Sequence, residues 1–378
     1  MKEKKNSNQI FVTRPSLPLL EDFIPYFEDI WDNRWLTNYG RYHQEFEQKL
    51  SAYLGVKDVA LFANGTLALI IALQELRITG EVITTPYSFV ATTHALHWNG
   101  ISPVFCDIEP ETMNINPDKI ESLITPKTTA ILPVHVYGNP CNIGEIQEIA
   151  DTYGLKVIYD AAHAFGVKIN NTPVVKFGNH SILSFHATKV FTTFEGGAII
   201  CNDKSAKQRI KYLQNFGFAN ETTVMAPGIN AKMNEMQASL GILQLNRIDE
   251  NINKRKEIAN HYQICLKDCK GISFIQDQEN IERNYQYFPV FVDEVKYGRK
   301  RDELYEELKR NNIFGRRYFY PLISQFPVYR NLPSASPENL PVAERITRQV
   351  ICLPIYPDLE ISAVNNIANI ILEYGKKR

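Results

Sequence analysis

Lys189 is the first candidate for covalent chemistry in this chain. It lies in the segment 184–200, SFHATKVFTTFEGGAII, at the end of a short apolar run. Polar side chains at Ser184, His186 and Thr188 alternate towards it, and the Glu-Gly-Gly that follows permits close approach of the backbone. A lysine packed there would be partly desolvated, which lowers its pKa and makes the amine available for imine chemistry. The alternative is a solvated surface lysine, as most lysines are.

Two other features would suit a lysine of this kind. Asp160 follows the apolar run 156–159, and carboxylates at the C-terminal ends of strands in open α/β sheets face the crevice where ligands bind. Asp160 could equally cap the start of a helix. Gly65 and Thr66 open an apolar segment of helical character, where free backbone N–H groups and the helix dipole favour a bound phosphate. The sequence contains neither a P-loop nor a Rossmann fingerprint.

These residues need a scaffold, and the alternation of short apolar runs with amphipathic segments from about residue 56 predicts an α/β domain. Strands are predicted at 59–62, 81–85, 101–107, 129–135, 156–159, 181–185 and 197–201, the last two as a near-hairpin around Lys189. Helices are predicted at 67–76 and 143–153, followed by one long connecting helix at 233–266. The remaining residues predict a smaller α+β domain with a strand at 287–292 and helices at 302–311 and 361–374. We therefore predict two domains, 1–245 and 246–378.

Composition narrows the range of functions. The chain has 41 lysines and arginines against 42 aspartates and glutamates, so no basic field exists that would gather nucleic acid. The N-terminal MKEKKNSNQ is not followed by the apolar core of a signal peptide, and the longest apolar run, 67–73, is far shorter than the roughly 20 residues that span a bilayer. We therefore expect a soluble, cytoplasmic protein that does not bind membranes. The six cysteines have unrelated spacings, which indicates neither a disulfide framework nor a metal site.

Eight segments, taken together, resemble the DegT/DnrJ/EryC1/StrS family of sugar aminotransferases. In chain order they are WLTNYGRYHQEFE, FANGTLALIIAL, TTPYSFVAT, LPVHVYGNP, YDAAHAFG, SFHATKVFTTFEGGAII, GINAKMNEMQASLG and LPIYPDL, and they extend over nearly the whole chain. The resemblance implies the aspartate-aminotransferase fold (fold type I), with a mixed, mostly parallel central sheet and a smaller C-terminal α+β domain. It also implies pyridoxal 5'-phosphate as the cofactor, with pyridoxamine phosphate formed in the half-reaction.

The resemblance assigns four residues to the cofactor ring. Lys189 would bind the cofactor covalently and later move a proton between the substrate carbon and the cofactor. Asp160 would keep the pyridine nitrogen protonated, and His163 would lie beside the phenolic oxygen. Phe89 would stack on the ring, although a core phenylalanine after a strand is the alternative for this position.

The resemblance also assigns residues to the cofactor phosphate. Gly65, Thr66 and Ser184 would hold it within one subunit. Asn230 resembles the residue that reaches the same phosphate from a second subunit. The resemblance therefore implies a homodimer with shared active sites.

The substrates implied are L-glutamate and a nucleotide-linked keto sugar. Within the family the chain looks closest to members that convert dTDP-4-keto-6-deoxy-D-glucose to dTDP-4-amino-4,6-dideoxy-D-glucose, a precursor of surface polysaccharides such as O-antigen in lipopolysaccharide. Three alternatives stay open: amination at C3 of a dTDP-3-keto-6-deoxyhexose, a sugar dehydratase, and a regulator that binds the cofactor without catalysis. In related dehydratases a histidine replaces the lysine, and Lys189 argues against that alternative.

Sugar-nucleotide contacts are expected in three parts of the chain. Cationic side chains suit a diphosphate, and aromatic side chains suit a sugar or base. The candidates are His135 and Tyr137 after the strand 129–135, Arg316, Arg317 and Tyr320 in FGRRYFYPL, and Trp35, Asn38 and Tyr39 near the N-terminus. A structural histidine and a solvated loop are the alternatives for the first two groups.

Overall fold

The computed structural model describes residues 9–201 and 203–376. Residues 1–8, 202 and 377–378 lie outside the described residues, and they include most of the basic N-terminal segment and the outer ends of both predicted domains. The α-helices are α1 (Leu20–Asn33), α2 (Arg41–Leu54), α3 (Gly65–Glu75), α4 (Ala91–Trp98), α5 (Ile143–Tyr153), α6 (Lys204–Leu213), α7 (Glu235–Leu245), α8 (Ile248–Leu266), α9 (Glu294–Tyr297), α10 (Arg301–Arg310), α11 (Pro341–Thr347) and α12 (Ile361–Lys376).

The strands run through both halves of the chain. They are β1 (Ile10–Phe11), β2 (Asp58–Phe62), β3 (Glu81–Thr84), β4 (Ser102–Phe105), β5 (Thr128–Leu132), β6 (Lys156–Asp160), β7 (Lys168–Ile169), β8 (Thr172–Pro173), β9 (His180–Ser184), β10 (Gly197–Cys201), β11 (Ile272–Phe274), β12 (Ile281–Glu282), β13 (Phe288–Val292), β14 (Ile313–Phe314) and β15 (Val350–Leu353).

A seven-stranded sheet in the order β2-β10-β9-β6-β5-β3-β4 forms the centre of the larger half. The run from β9 to β4 is parallel, whereas β10 is antiparallel to both β2 and β9. The predicted mixed, mostly parallel sheet is therefore confirmed. Because β10 alone is reversed, the other strands all end at one edge of the sheet, and the residues that follow β2, β6 and β9 meet there.

Apolar side chains cover both faces of this sheet. One core cluster, which includes Phe46 of α2 and Phe185, packs α2 and α7 against one face. The other cluster, which includes Leu69 of α3 and Leu96 of α4, covers the opposite face. Burial on both faces explains why the central strands are continuously apolar rather than alternating.

The C-terminal part forms a second, smaller sheet. Its three strands, in the order β11-β13-β15, are antiparallel, and α8 and α12 pack against it in a core of their own. The strand predicted at 287–292 is β13, and the helices predicted at 302–311 and 361–374 are α10 and α12. Within the described residues, no helix is long and apolar enough to cross a bilayer.

The single helix predicted at 233–266 is wrong. α7 ends at Leu245 and α8 begins at Ile248, with Arg247 out of helical conformation at φ −121°. α7 packs against α2, whereas α8 packs against α12. Both helices have apolar residues at helical spacing, so the apolar pattern continues across the break and does not reveal the turn. The predicted domain boundary at 245/246 falls in this turn and stays a prediction.

Helix α7 approaches α2 so closely that Gly241 has no room for a side chain. A Cβ atom at Gly241 would lie 2.5 Å from the Phe46 ring, which is fully buried. We predict that Gly241→Ala lowers the melting temperature of the protein. Alanine favours a helix by about 1 kcal/mol, but displacing a packed ring costs about 1–3 kcal/mol.

Gly144→Ala in α5 is the matched control for this prediction. A Cβ atom at Gly144 meets nothing closer than 4.0 Å, so only the helix preference of alanine should act. Its melting temperature should equal or exceed that of the wild type. Equal melting temperatures for the two variants would contradict the packing argument.

Candidate active site

A cavity of about 670 Å³ opens at the edge of the central sheet where β2, β6 and β9 end. Most residues that the sequence analysis assigned to the cofactor line it. These are Gly65, Thr66, Phe89, Asp160, His163, Ser184 and Lys189. The sheet therefore brings together residues that are more than 120 positions apart in the chain, from Gly65 to Lys189.

The loop that carries Lys189 joins β9 to β10. The two strands pair with Ser184 opposite Gly197, so both ends of the loop are fixed by the sheet. Phe185 and Phe191 are fully buried, with ring centroids 5.1 Å apart. Because these two aromatic side chains anchor the loop in the core, Lys189 between them is held at the cavity.

The surroundings of Lys189 change its acidity. Burial lowers the pKa of the amine to about 8, and the carboxylate of Asp160 opposes the shift. A substantial fraction of the amine is therefore neutral near physiological pH, whereas a solvated lysine is almost entirely charged. The reading of Lys189 as an ordinary surface lysine is wrong, because its amine lies within the cavity.

Asp160 is the last residue of β6, and it is only 5% exposed. Its Oδ2 accepts a hydrogen bond from Thr92 Oγ1 at 2.7 Å, and its Oδ1 accepts one from the Ala162 backbone at 3.1 Å. Burial raises the pKa of this carboxyl, and the hydrogen bonds from Thr92 and Ala162 and the charge of Lys189 oppose the shift. The hydrogen bond from Ala162 belongs to a turn, and no α-helix follows it. Asp160 is therefore not a helix cap.

His163 is neutral, and its tautomer is fixed by the fold. Burial lowers its pKa well below the ordinary value. Nδ1 accepts a hydrogen bond from the Tyr137 backbone N–H at 3.3 Å, which places the ring proton on Nε2. The ring lies parallel to Phe319, with centroids 5.9 Å apart. His163 is therefore an oriented hydrogen-bond donor at the cavity wall.

The start of α3 offers donors for an anion. The helix begins at Gly65, two residues before the predicted start, and Asn64 Oδ1 caps it by accepting from Leu67 N at 2.9 Å. Because the cap uses the Leu67 N–H, the N–H groups of Gly65 and Thr66 are the first-turn donors that remain for a ligand. A Cβ atom at Gly65 would lie 2.9 Å from Ser184 Cβ, so only glycine allows the helix start and β9 to approach this closely.

Phe89 is 58% exposed and lines the cavity, so its alternative as a core residue is wrong. Sequence reasoning missed five other residues of the cavity wall. Ser88 and Thr92 follow Pro86 and Tyr87, Tyr287 precedes β13, and Tyr318 and Phe319 lie in the FGRRYFYPL segment. The aromatic residues come from the smaller half of the chain, and nothing local in their sequence indicates which sheet edge they face.

Several predicted substrate residues do not line this cavity. His135 is fully buried, stacks on Tyr159 at 4.7 Å and accepts a hydrogen bond from Cys141 N. Tyr137 is also fully buried, with its hydroxyl bonded to Tyr87 and the Tyr318 backbone. Neither side chain lines the cavity, and their contact with substrate stays a prediction.

Side chains of the FGRRYFYPL segment point either into the cavity or away from it. Tyr318 and Phe319 face the cavity. Arg317 instead forms an ion pair with Asp302 at 2.8 Å and lies over the ring of Tyr320, on the other side of the segment. Arg316, which is exposed, pairs through its backbone with Cys352. The three residues predicted to bind the diphosphate lie outside the cavity.

The N-terminal candidates are also distant from the cavity of their own chain. Trp35 is 58% exposed, and its indole donates to Thr37 O at 2.6 Å. Asn38 is exposed, and the Tyr39 hydroxyl accepts from Gln214 at 2.9 Å. Asn230 is exposed as well and does not contact the cavity of its own chain. None of these four residues lines the cavity of its own chain, and their assigned roles stay predictions.

A sequence model of the DegT/DnrJ/EryC1/StrS aminotransferase family matches residues 19–372. The chain belongs to this family. The dTDP-4-amino-4,6-dideoxy-D-glucose transaminase of Escherichia coli is 54% identical over 97% of this chain and 99% of its own length. The protein of the same name from Shigella dysenteriae is 50% identical over 96% of this chain and 98% of its own.

The fold agrees with that membership of the DegT/DnrJ/EryC1/StrS family. A crystal structure of DesI, determined in the presence of its TDP-sugar product, superposes with a TM-score of 0.94 at 33% identity. The match covers 98% of this chain and 94% of that chain. The fold predicted from the eight segments is therefore confirmed.

The cavity of this family member fits pyridoxal phosphate. That group needs an amine, a carboxylate for the ring nitrogen, an aromatic plate and donors for the phosphate. Lys189, Asp160, Phe89 and the N-terminus of α3 meet these needs around one space. The cradle is close enough that a Cβ atom at Gly65 would collide with Ser184.

Because burial lowers the pKa of Lys189 to about 8, its reactivity should be unusual in the cofactor-free protein. We predict that its reaction with trinitrobenzenesulfonate reaches half its maximal rate near pH 8. The neutral amine is the reactive form, and it predominates above that pH. Mass spectrometry of the peptide that contains Lys189 follows the reaction across a pH series.

The variant Asp160→Asn is the control for this measurement. It removes the negative charge that raises the Lys189 pKa, so the midpoint should move to lower pH. A wild-type midpoint near 10.5, the ordinary value for lysine, would contradict the assignment of Lys189 to a desolvated site.

Proposed function

We propose that this protein is a pyridoxal phosphate-dependent aminotransferase that converts dTDP-4-keto-6-deoxy-D-glucose to dTDP-4-amino-4,6-dideoxy-D-glucose, with L-glutamate as the amino donor. One observation carries the proposal: Lys189, Asp160 and His163 line a single cavity together with the N-terminus of α3. The dTDP-4-keto sugar is proposed because relatives 54% and 50% identical bear the name of that transaminase.

Lys189 has the properties that a transaminase requires of its lysine. With a pKa of about 8, the amine is a nucleophile near neutral pH and can also accept a proton. Pyridoxal phosphate supplies the carbonyl carbon for that amine and a ring that takes up electrons when a substrate C–H bond breaks. The neutral Lys189 amine would also serve as the base at the substrate carbon.

Asp160 and His163 complete the catalytic set in this proposal. The Asp160 carboxylate would be stabilised by a protonated ring nitrogen, because burial raises its pKa and so disfavours an isolated negative charge. Thr92 and the Ala162 backbone orient its two oxygens towards fixed positions. His163 would donate its Nε2–H to the phenolic oxygen of the cofactor.

We also propose that the active protein is a homodimer. Four apolar side chains, Leu20, Ile24, Phe27 and Trp31, form an exposed stripe along α1 with exposures of 41% to 69%. Their spacing places them on one helix face, and such a stripe supports burial against a second copy. Asn230, which is exposed and does not line the cavity of its own chain, would then act in the site of the partner.

Absorbance changes of the bound cofactor and NMR analysis of the product test the proposed reaction. The holoenzyme should show the absorbance of a lysine-bound cofactor, and L-glutamate should bleach that band. Addition of dTDP-4-keto-6-deoxy-D-glucose should restore the band and give a product whose new amine is assigned to C4 by NMR.

Lys189→Ala is the matched variant. It should retain cofactor through the phosphate and ring contacts but lose turnover by a factor on the order of 10⁴ or more. A dTDP-3-keto-6-deoxyhexose offered in parallel should remain unaminated. A band that glutamate leaves unchanged would favour a cofactor-binding regulator, and wild-type turnover by Lys189→Ala would overturn the assignment.

A further inference from the structure

Lys232 is a buried cation without an acidic partner. Its side chain is 8% exposed, and Nζ donates to Oδ1 of Asn215 at 2.7 Å and of Asn230 at 2.9 Å. The same ammonium lies 5.3 Å from the ring centroid of Phe216. In the part of the chain that the structure describes, no carboxylate forms an ion pair with it. Burying an unpaired ammonium costs desolvation free energy, and an anion bound beside Lys232 would offset that cost.

The hydrogen bonds of Lys232 leave donors free for that anion. An ammonium has three N–H groups, and the two asparagines use two of them. Because Asn230 turns its Oδ1 towards Lys232, its amide NH₂ group points away from the cation. Asn230 is exposed, so its NH₂ group is a donor at the surface, with the buried Lys232 ammonium directly behind it. A phosphate, with three acceptor oxygens, suits such a pair.

The part of the cavity that would hold the phosphate has too little positive charge within one chain. Gly65, Thr66 and Ser184 offer N–H and hydroxyl donors there, and the α3 terminus adds about half a positive charge. A phosphate monoester carries about −1.5 to −2 at neutral pH. Among the described residues that line the cavity, Lys189 is the sole lysine or arginine, and its amine is required at the carbonyl carbon. About one unit of negative charge therefore remains uncompensated.

We propose that Lys232 supplies the missing positive charge, beside the neutral amide donor of Asn230, to the cofactor phosphate in the site of the other subunit. This inference rests on the proposed function and names Lys232 as a phosphate-binding residue that acts across the dimer. The hairpin 214–231, which presents Asn230, exposes Phe218, Val224 and Met225 by 42%, 58% and 61%. A second copy that covers these apolar side chains would bring the two donors to its own cavity.

Removal of the phosphate from the ligand tests the contact directly. Binding of pyridoxamine 5'-phosphate and of pyridoxamine to the cofactor-free protein is measured by calorimetry for the wild type, Lys232→Met and Lys232→Arg. Lys232→Met should weaken pyridoxamine 5'-phosphate roughly 10- to 100-fold, as expected for a charge-assisted hydrogen bond. Pyridoxamine should bind both proteins equally, and Lys232→Arg should recover most of the lost affinity.

The controls separate a local effect from a folding defect. Lys254→Met removes an exposed lysine paired with Glu250 and should leave both affinities unchanged. Melting temperatures confirm that each variant is folded. Equal weakening of both ligands by Lys232→Met would overturn the proposal. If the wild type itself fails to bind pyridoxamine 5'-phosphate, the proposed function falls instead.

Mixed dimers test whether Lys232 acts across the interface. In a mixed dimer, one subunit carries Lys189→Ala and the other carries Lys232→Met. If Lys232 acts in its own site, neither site has both lysines intact. If Lys232 acts in the site of the other subunit, one of the two sites does. Random subunit exchange should then restore about one quarter of wild-type turnover, at a cofactor concentration that saturates the wild type but not Lys232→Met. No recovery beyond the Lys232→Met protein alone would show that Lys232 acts within its own subunit and would overturn the proposal.

Discussion

The removal of the Lys189 amine from water is the constraint on which the rest of the site depends. A solvated lysine is almost fully protonated and cannot attack a carbonyl group at useful rates. Burial lowers its pKa to about 8, and the buried Asp160 keeps the shift from going further. The fold must therefore hold an amine and a carboxylate in one desolvated cavity without pairing them directly.

The central sheet meets this requirement through its connections. β9 and β10 fix both ends of the Lys189 loop, and the buried rings of Phe185 and Phe191 hold its middle against the core. Asp160 arrives from β6, the parallel neighbour of β9, at the same sheet edge. The reversed β10 allows the loop to return within the sheet, so a strand rather than a flexible connection bounds the cavity.

The cavity of a single chain does not balance the charge of a bound cofactor phosphate. The acidic requirement for the cofactor ring is met internally by Asp160, but the cationic requirement for a phosphate is not met by any lining residue apart from Lys189 in the described chain. Lys232, directly after the exposed hairpin 214–231, has a positive charge that no carboxylate of the described chain balances. Sharing the site between two subunits would join catalysis to assembly, since a monomer would have a weakened hold on its cofactor.

Local pattern indicated several of the candidate residues, and the resemblance of eight ordered segments assigned their roles. Asp160 at a strand end, Gly65 at a helix start and Lys189 near a Glu-Gly-Gly could be found because strand ends, helix starts and glycines have clear sequence signatures. The residues that were missed or misplaced in the FGRRYFYPL segment, such as Tyr318, Phe319 and Arg317, depend on which face of an irregular segment meets the cavity. No periodicity describes such segments.

The sequence by itself determined the α/β class, most of the strands, the family and the identity of the ring-binding and phosphate-binding candidates, because each depends on short-range patterns or on ordered motifs. Only the tertiary structure decided that α7 and α8 are separate helices, that His135 and Tyr137 are buried behind the site, and that Arg317 faces away from it. These features depend on packing between segments distant in the chain, where the choice of neighbour is set by the whole core.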